Sequence, residues 1–313
     1  TKEISDESKR PYFIVEYRES TGVTEDFSYR VLEAGDAGTI YINENTRTFY
    51  MERDEIGIGG NNMPVLIKRH YNYWTTFPTD IDSYYLKSCY GTGWSLNYNR
   101  FITYISGSTP RYRYINDTGA IIYYVNSGVN ENGYAVWEEE VFNGLVGTGS
   151  KLLVPSNSST TNYTAMKVVS KENYIDNFDS LGRLVKITDG DTDGTCSINI
   201  YYVGSSMLQI DKIVDGAGRE YRFSYKSASL VDGLLTTISC YNANGTQITM
   251  PNGNSTVPLQ MSYTYSGFMD GSISTYNLEQ VTYPNNAKCT YMYDVFGNIY
   301  LVRDERKYYS YNF

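Results

Sequence analysis

The chain has 313 residues, and 26 basic against 35 acidic side chains leave it a formal net charge of −9. That balance, with no cluster of Lys or Arg, excludes the phosphate-neutralising surface on which nucleic-acid affinity rests, and an anionic membrane surface is an equally poor partner. No run approaches the roughly 18 consecutive apolar residues of a membrane-spanning segment.

The N-terminal Thr1-Lys2-Glu3-Ile4-Ser5 has neither an initiator Met nor an apolar signal segment, so the chain is expected to be a piece of a longer protein. Residues 1–55 form a comparatively charged, β-rich lead-in (Glu16, Arg18, Glu19, Glu25, Asp26, Arg30, Glu33). An opening segment over 56–105 and hairpin repeats over 106–313 are expected to continue from it as one folding unit. Period-two alternation marks strands at Thr39-Ile40-Tyr41-Ile42-Asn43 and Arg47-Thr48-Phe49-Tyr50-Met51. It recurs at Ile198-Asn199-Ile200-Tyr201-Tyr202, Tyr221-Arg222-Phe223-Ser224-Tyr225 and Met261-Ser262-Tyr263-Thr264-Tyr265. No segment carries a sustained 3.6-residue period, and 34 tyrosines with 27 glycines against 8 prolines favour short strands and turns. The fold class is all-β.

Turn signals punctuate these strands. Asn132-Gly133, Asn143-Gly144, Asn244-Gly245 and Asn252-Gly253 favour the positive φ of tight hairpins. Polar stretches at 155–164 and 251–258 are expected to be hairpin excursions rather than linkers. A longer motif repeats: Phe178-Asp179-Ser180-Leu181-Gly182-Arg183, Val214-Asp215-Gly216-Ala217-Gly218-Arg219 and Tyr293-Asp294-Val295-Phe296-Gly297-Asn298, with a looser copy at Asn116-Asp117-Thr118-Gly119-Ala120. Asp stabilises a turn through its side chain, and Gly takes a backbone conformation other residues avoid. One hairpin cannot bury both faces of its sheet, so units of this kind stack.

Four features carry possible chemistry. His70 is the single histidine, so a Ser-His-Asp or Cys-His site would have to use it; in the strand-like Lys68-Arg69-His70-Tyr71 it reads as structural, and no catalytic residue is expected. Asp189-Gly190-Asp191-Thr192-Asp193-Gly194 matches the first half of a calcium loop, making Asp189, Asp191 and Asp193 a weak calcium site. Its twelfth position is Ile200 rather than Glu and no helices flank it, so a plain extended hairpin turn is the competing reading. No other cofactor is expected. Cys89, Cys196, Cys240 and Cys289 lack any CxxC spacing; they are expected to be packed thiols, with three disulfide connectivities open in an oxidising compartment. Glu138-Glu139-Glu140 reads as a solvated strand edge, with Trp137 before it exposed and Trp74 and Trp94 in the core. Five Asn-x-Ser/Thr triplets, at Asn116, Asn157, Asn162, Asn244 and Asn254, read as chance in an Asn/Ser/Thr-rich chain.

The Tyr293-Asp294-x-x-Gly297 and Phe178-Asp179-x-x-Gly182-Arg183 units resemble the RHS/YD-repeat family. So does the opening segment, in which Gly57-Ile58-Gly59-Gly60-Asn61-Asn62-Met63-Pro64-Val65 leads to Arg69-His70-Tyr71-Asn72 and then to Tyr90-Gly91-Thr92-Gly93-Trp94-Ser95-Leu96. Ala37-Gly38-Thr39-Ile40-Tyr41-Ile42-Asn43 is similar to the approach to that segment in secreted Gram-positive members. The resemblance covers about residues 28–313.

The resemblance implies a curved, spiralling antiparallel β-sheet of stacked YD-type hairpins, a partial β-shell. Relatives of this kind enclose a C-terminal effector in bacterial toxins or form part of an adhesion receptor in animal teneurins. This sequence lacks the family's self-cleaving terminal core, so neither autoproteolysis nor toxin activity is carried over. The expected function is a non-enzymatic wall fragment of a secreted or cell-wall-associated bacterial protein, partnered by the rest of its own chain. The alternative is a carbohydrate-binding or adhesive surface that meets cell-surface glycans through exposed tyrosines. The residues expected to matter are the turn formers Asp179, Gly182, Arg183, Asp215, Gly218, Arg219, Asp294 and Gly297. With them stand Pro64, Tyr71, Asn72, Gly91, Gly93 and Trp94 of the opening segment.

Overall fold

The structure is a computed structural model. It describes residues 23, 28–33, 38–44, 49–60, 62–72, 88–141, 147–190, 196–226, 233–270, 273–295, 297–305 and 309–312. Among these there is no α-helix, and a short 3-10 turn, Tyr163–Ala165, interrupts the strands. The all-β expectation holds.

The first sheet is an antiparallel meander: β1 (Tyr29–Glu33), β2 (Thr39–Asn43), β3 (Phe49–Gly57), β4 (Leu66–Asn72) and β5 (Trp94–Leu96). Strands on either side of residue 56 therefore belong to one sheet. A second meander follows with β6 (Phe101–Ile105), β7 (Arg111–Ile115), β8 (Ile121–Glu131), β9 (Tyr134–Glu139), β10 (Lys151–Pro155), β11 (Lys167–Val169) and β12 (Tyr174–Phe178). Without a break it continues into β13 (Leu184–Asp189), β14 (Ser197–Tyr202), β15 (Ile210–Val214), β16 (Glu220–Lys226) and β17 (Leu234–Tyr241). A small separate hairpin, β18 (Thr249–Asn252) and β19 (Ser255–Pro258), precedes β20 (Gln260–Asp270), β21 (Ile273–Thr282), β22 (Lys288–Tyr293), β23 (Ile299–Asp304) and β24 (Tyr309–Asn312).

Sequence periodicity alone does not foretell one feature. The strands β6 to β12 close into a ring, because the turn after β12 returns to the start of β6 through an antiparallel bridge between Phe101 and Arg183. The Ile102 amide donates to the Gly182 carbonyl at 2.9 Å, and the Leu184 amide to the Arg100 carbonyl at 2.9 Å. The ring has its own buried centre: Ile102, Tyr112, Tyr114, Tyr124, Trp137, Leu152, Met166, Val168 and Phe178 belong to one cluster. Closure removes the unpaired edges a short sheet would otherwise leave.

The other core lies between the first sheet and the strands from β13 onward. Met51, Ile67, Tyr71 and Trp94 meet Tyr221, Ile238, Met261, Val281, Tyr291 and Val302 in one cluster. Each large side chain removed from water there contributes about 1.5–3 kcal/mol, which fastens the first sheet across the second.

The described tyrosines divide between the interior and the surface. Eleven of them, Tyr50, Tyr71, Tyr90, Tyr98, Tyr112, Tyr114, Tyr124, Tyr221, Tyr263, Tyr283 and Tyr291, are buried. Tyr174, Tyr201 and Tyr300 are exposed, on β12, β14 and β23, no two of which are neighbours. They form no ladder of coplanar rings. Trp137, expected at the surface, is buried at 7% and packs edge-on against Tyr112 at 4.8 Å. Strand alternation in β9 turns its ring into the closed ring while Glu138 faces out.

Candidate functional site: the opening segment and the turns that dock on it

The Asp-x-x-Gly motif builds the same object each time. At Asp179 the backbone amide donates to the Arg183 carbonyl at 3.0 Å, and the Gly182 amide donates back to the Asp179 carbonyl at 3.0 Å. This is a type I turn followed by a bulge whose residue needs positive φ, and Gly182 supplies it at φ 81°. The Asp179 carboxylate then accepts from the amides of Leu181 (2.9 Å) and Arg183 (3.0 Å) and from Arg183 Nε (2.7 Å). Asp215 repeats all of this with Ala217, Arg219 and Gly218, and Asp294 repeats it with Asn298 and Gly297. In the looser copy the side-chain acceptor is Asn116, which takes the amides of Thr118 at 3.0 Å and Ala120 at 2.9 Å.

Three further turns have the same backbone pattern: 170–174, 242–246 and 283–287, with Asn173, Gly245 and Asn286 at positive φ. The sequence motif misses the first and last of these because Ser170 and Tyr283 open them. Of the Asn-Gly pairs, Asn132-Gly133 has both residues at positive φ, as a two-residue hairpin requires. In Asn244-Gly245 and Asn252-Gly253 the glycine alone is so placed, and Asn143-Gly144 lies outside the described residues.

These turns converge on the opening segment. Arg219 Nη1 and Nη2 donate to the carbonyls of Gly59 (2.8 Å) and Ile58 (3.0 Å), and Tyr221 accepts from the Ile58 amide while donating to the Val65 carbonyl. The 179–183 turn makes the ring closure with Arg100 and Ile102. Gly119 sits so close to His70 and Asn72 that a Cβ there would lie 2.9 Å from His70 Nε2 and 2.8 Å from Asn72 Nδ2. Tyr71 donates to the Gly297 carbonyl at 3.3 Å. Arg183 turns elsewhere, to the carbonyls of Gly204 and Ser206, over the Tyr202 ring.

The G-x-G-W element fits against the late strands. Thr92 donates to Tyr276 O, and the backbone of Gly91 passes Leu278 where a side chain would lie 2.8 Å from the Leu278 nitrogen. Gly93 is set equally close to the Tyr71 ring. Trp94, fully buried, donates from Nε1 to Tyr293 Oη at 2.9 Å. Pro64 is exposed at the mouth of a cavity under the ring's end, beside the half-buried Met63, whose φ is 42°.

Under this contact lies a charge network. Arg69 Nη2 pairs with Glu55 Oε1 at 2.8 Å and donates to Tyr291 Oη at 2.8 Å, and Tyr263 donates to Glu55 Oε2 at 3.0 Å. Arg53 reaches Asp304 at 3.4 Å. All four charged side chains are at most 2% exposed, so breaking one pair leaves an uncompensated buried charge. Aromatic faces cover the guanidinium planes: Arg69 lies 4.3 Å from the Trp94 centroid and Arg53 4.7 Å from that of Tyr283. Burial works against the Arg69 charge, but Glu55, Tyr291 and Tyr263 outweigh it and hold the group above the ordinary arginine range.

His70 is stacked on Tyr50, and burial lowers it to about 4 against the opposing pull of Asp117. Among the described residues neither ring nitrogen has a hydrogen-bond partner. Asp189 ends β13 opposite Tyr174, whereas Asp191 and Asp193 lie outside the described residues. Among the described residues no cluster of three His, Cys, Asp or Glu side chains is set to hold a metal. Cys89, Cys240 and Cys289 are buried, Cys196 is half-buried, and desolvation pushes Cys240 up to about 12.

No family model matches the sequence, and no curated protein does. Among solved structures, the chain is similar to the crystal structure of TcdB2-TccC3 at 10% identity and a TM-score of 0.45, over 92% of this chain and 17% of that one. It is also similar to TcdB2-TccC3-TEV at 9% identity and a TM-score of 0.44, over 91% and 16%. The chain spans about a sixth of the length of those structures.

Proposed function

We propose that this chain is a non-enzymatic wall element of a secreted or cell-surface protein, in which the opening segment seats successive hairpin turns and so starts a curved β-wall that encloses or displays a C-terminal module. The observation that carries the reading is the convergence of the 116–120, 179–183, 215–219 and 294–298 turns on residues 58–102. The motif that the sequence repeats is thereby the part that attaches each unit to a common base. The burial of eleven tyrosines supports a packed wall over an adhesive ladder. His70, the residue any acyl-transfer reading would need, lies sealed beneath Tyr50 at 2% exposure, which favours a structural role for it.

The test uses the protein at its full native length, digested with proteinase K under native conditions. The wall reading predicts that sequence beyond residue 313 resists cleavage, and that Arg219→Ala combined with Gly182→Val makes it sensitive. Equal cleavage of both proteins at the rate of an unfolded chain contradicts it.

A further inference from the structure

Beyond the wall role, and independent of it, the geometry points to a binding site for a neutral mono- or disaccharide unit at the open end of the closed ring; this we propose from the lining of a cavity of about 640 Å³. The cavity lies between the ends of β7, β8, β11 and β12, the later half of β13, the start of β14, and the 63–64 and 98–100 stretches of the opening segment. Its size falls within the roughly 300–1,000 Å³ of small-molecule pockets. Apolar side chains, among them Ile122, Val168 and Ile187, form part of its wall, and one polar constellation is set among them.

In that constellation Arg100 Nη1 donates to both Asp176 oxygens (3.2 and 3.0 Å), and Tyr114 donates to Asp176 Oδ2 at 2.6 Å. Arg100 Nε is taken by the Asn97 carbonyl at 2.9 Å. Arg100 Nη2 finds Asp117 Oδ2 only at 4.0 Å, beyond hydrogen-bond reach. The floor therefore offers a fixed donor beside a fixed carboxylate acceptor. At the rim Asp117, Lys171 and Glu172 are exposed, and Tyr174 presents its ring at 47% exposure.

Charge decides the ligand class. Three carboxylates (Asp117, Glu172, Asp176) face two cations (Arg100, Lys171), which disfavours a phosphate or a sulfonate. Arg100 in the floor disfavours an ammonium. What remains is a ligand without net charge whose groups both donate and accept: hydroxyls meet the Asp176 carboxylate and Arg100 Nη2 together, while the C–H face of a sugar ring packs on Tyr174. This site uses one tyrosine at a pocket mouth, not a ladder of rings.

The experiment is calorimetric titration with saturation-transfer NMR on the intact chain. The probes are glucose, galactose, N-acetylglucosamine, cellobiose, lactose and chitobiose, with inorganic phosphate as the charged comparison. The expected result is binding of at least one sugar at about 1 mM or tighter. Tyr174→Ala is expected to weaken it about tenfold. Tyr201→Ala, which removes an equally exposed ring outside the cavity, leaves binding unchanged. Glu172→Gln separates rim chemistry from folding, since it removes only a charge at an exposed position; it is expected to weaken the same sugar. Cellohexaose binding as well as cellobiose makes a glycan chain end an occupant, whereas its failure to bind restricts the site to free sugars. No sugar binding at 1 mM, equal binding by wild type and Tyr174→Ala, or phosphate binding more tightly than every sugar overturns the proposal.

Discussion

The amide of Ile102 and the carbonyl of Gly182, eighty positions apart in sequence, form a 2.9 Å hydrogen bond that closes seven strands into a ring. Gly182 is doubly constrained: its φ is 81°, and a Cβ added there would lie 2.2 Å from the Ile102 carbonyl oxygen. The first constraint concerns Gly182 alone, whereas the second can be met only if β6 moves away.

Gly182→Ala is accordingly expected to cost well over the roughly 1–2 kcal/mol of left-handed backbone strain. Gly204→Ala is the control, since Gly204 has φ 51° but nothing within 4 Å of its added Cβ; it should cost about 1 kcal/mol. Urea unfolding midpoints with unchanged slopes measure both. Equal losses for the two variants would show that closure places no demand on residue 182.

Arg219 and Arg222 lie three residues apart but do different things. Arg219 pairs with the fully buried carboxylate of Asp215 at 2.6 Å and reaches two carbonyls of the opening segment, whereas Arg222 pairs with Glu220 at a 46% exposed position. Arg219→Ala is expected to lose about 3 kcal/mol, and Arg222→Ala under about 1 kcal/mol. Arg219→Lys should recover little, because one ammonium cannot supply the fork that joins Asp215, Gly59 and Ile58.

The Glu55–Arg69 pair gives a sign test. Glu55→Gln alone is expected to destabilise by about 3 kcal/mol, because Arg69 keeps its charge where water does not reach. Replacing both, Glu55→Leu with Arg69→Met, should cost less than either single change if packing is retained. Thermal denaturation of the wild type, Glu55→Leu, Arg69→Met and the double variant completes the cycle.

The pH dependence follows from His70. Its folded value is about 4 against 6.5 for an exposed histidine, so between these values the unfolded chain binds more protons than the folded one. Stability contributed by neutral His70 is complete above pH 6.5 and drains away as pH falls to 4, by about 3 kcal/mol in all. His70→Gln should flatten the stability profile across that window while leaving the carboxylate-driven fall at lower pH in place. A profile with the same slope in both proteins would mean that His70 titrates normally.

The strands were readable because apolar and polar residues alternate, and Tyr221, Phe223 and Tyr263 point inward as that pattern requires. The turns at Asp179, Asp215 and Asp294 were readable because the side chain itself forms the turn's hydrogen bonds. Those at 170–174 and 283–287 use the same backbone bonds under Ser170 and Tyr283 and leave no such mark. Arg53, Glu55 and Arg69 were hidden for another reason. Each continues an inward row, Met51-Arg53-Glu55 or Ile67-Arg69-Tyr71, but a charge at an inward position reads as solvent-facing until its partner is seen. For Arg53 that partner is Asp304, far along the chain. Ring closure and the Arg100–Asp176 cavity depend on pairings across many strands, which local sequence does not encode.

Hydrogen exchange on the native chain tests most directly whether the repeat turns are anchored on the opening segment. The amides to follow are Ile58 (to Tyr221 Oη), Thr92 (to Tyr276 O), Ile102 (to Gly182 O) and Leu235 (to Cys89 O). The account predicts that these four exchange as slowly as the other strand amides of β16 and β17 and open with them, and that Arg219→Ala selectively releases Ile58. Rapid exchange of these four amides while the rest of β16 and β17 stays protected would show that the opening segment and the repeats are separate bodies, contradicting the account.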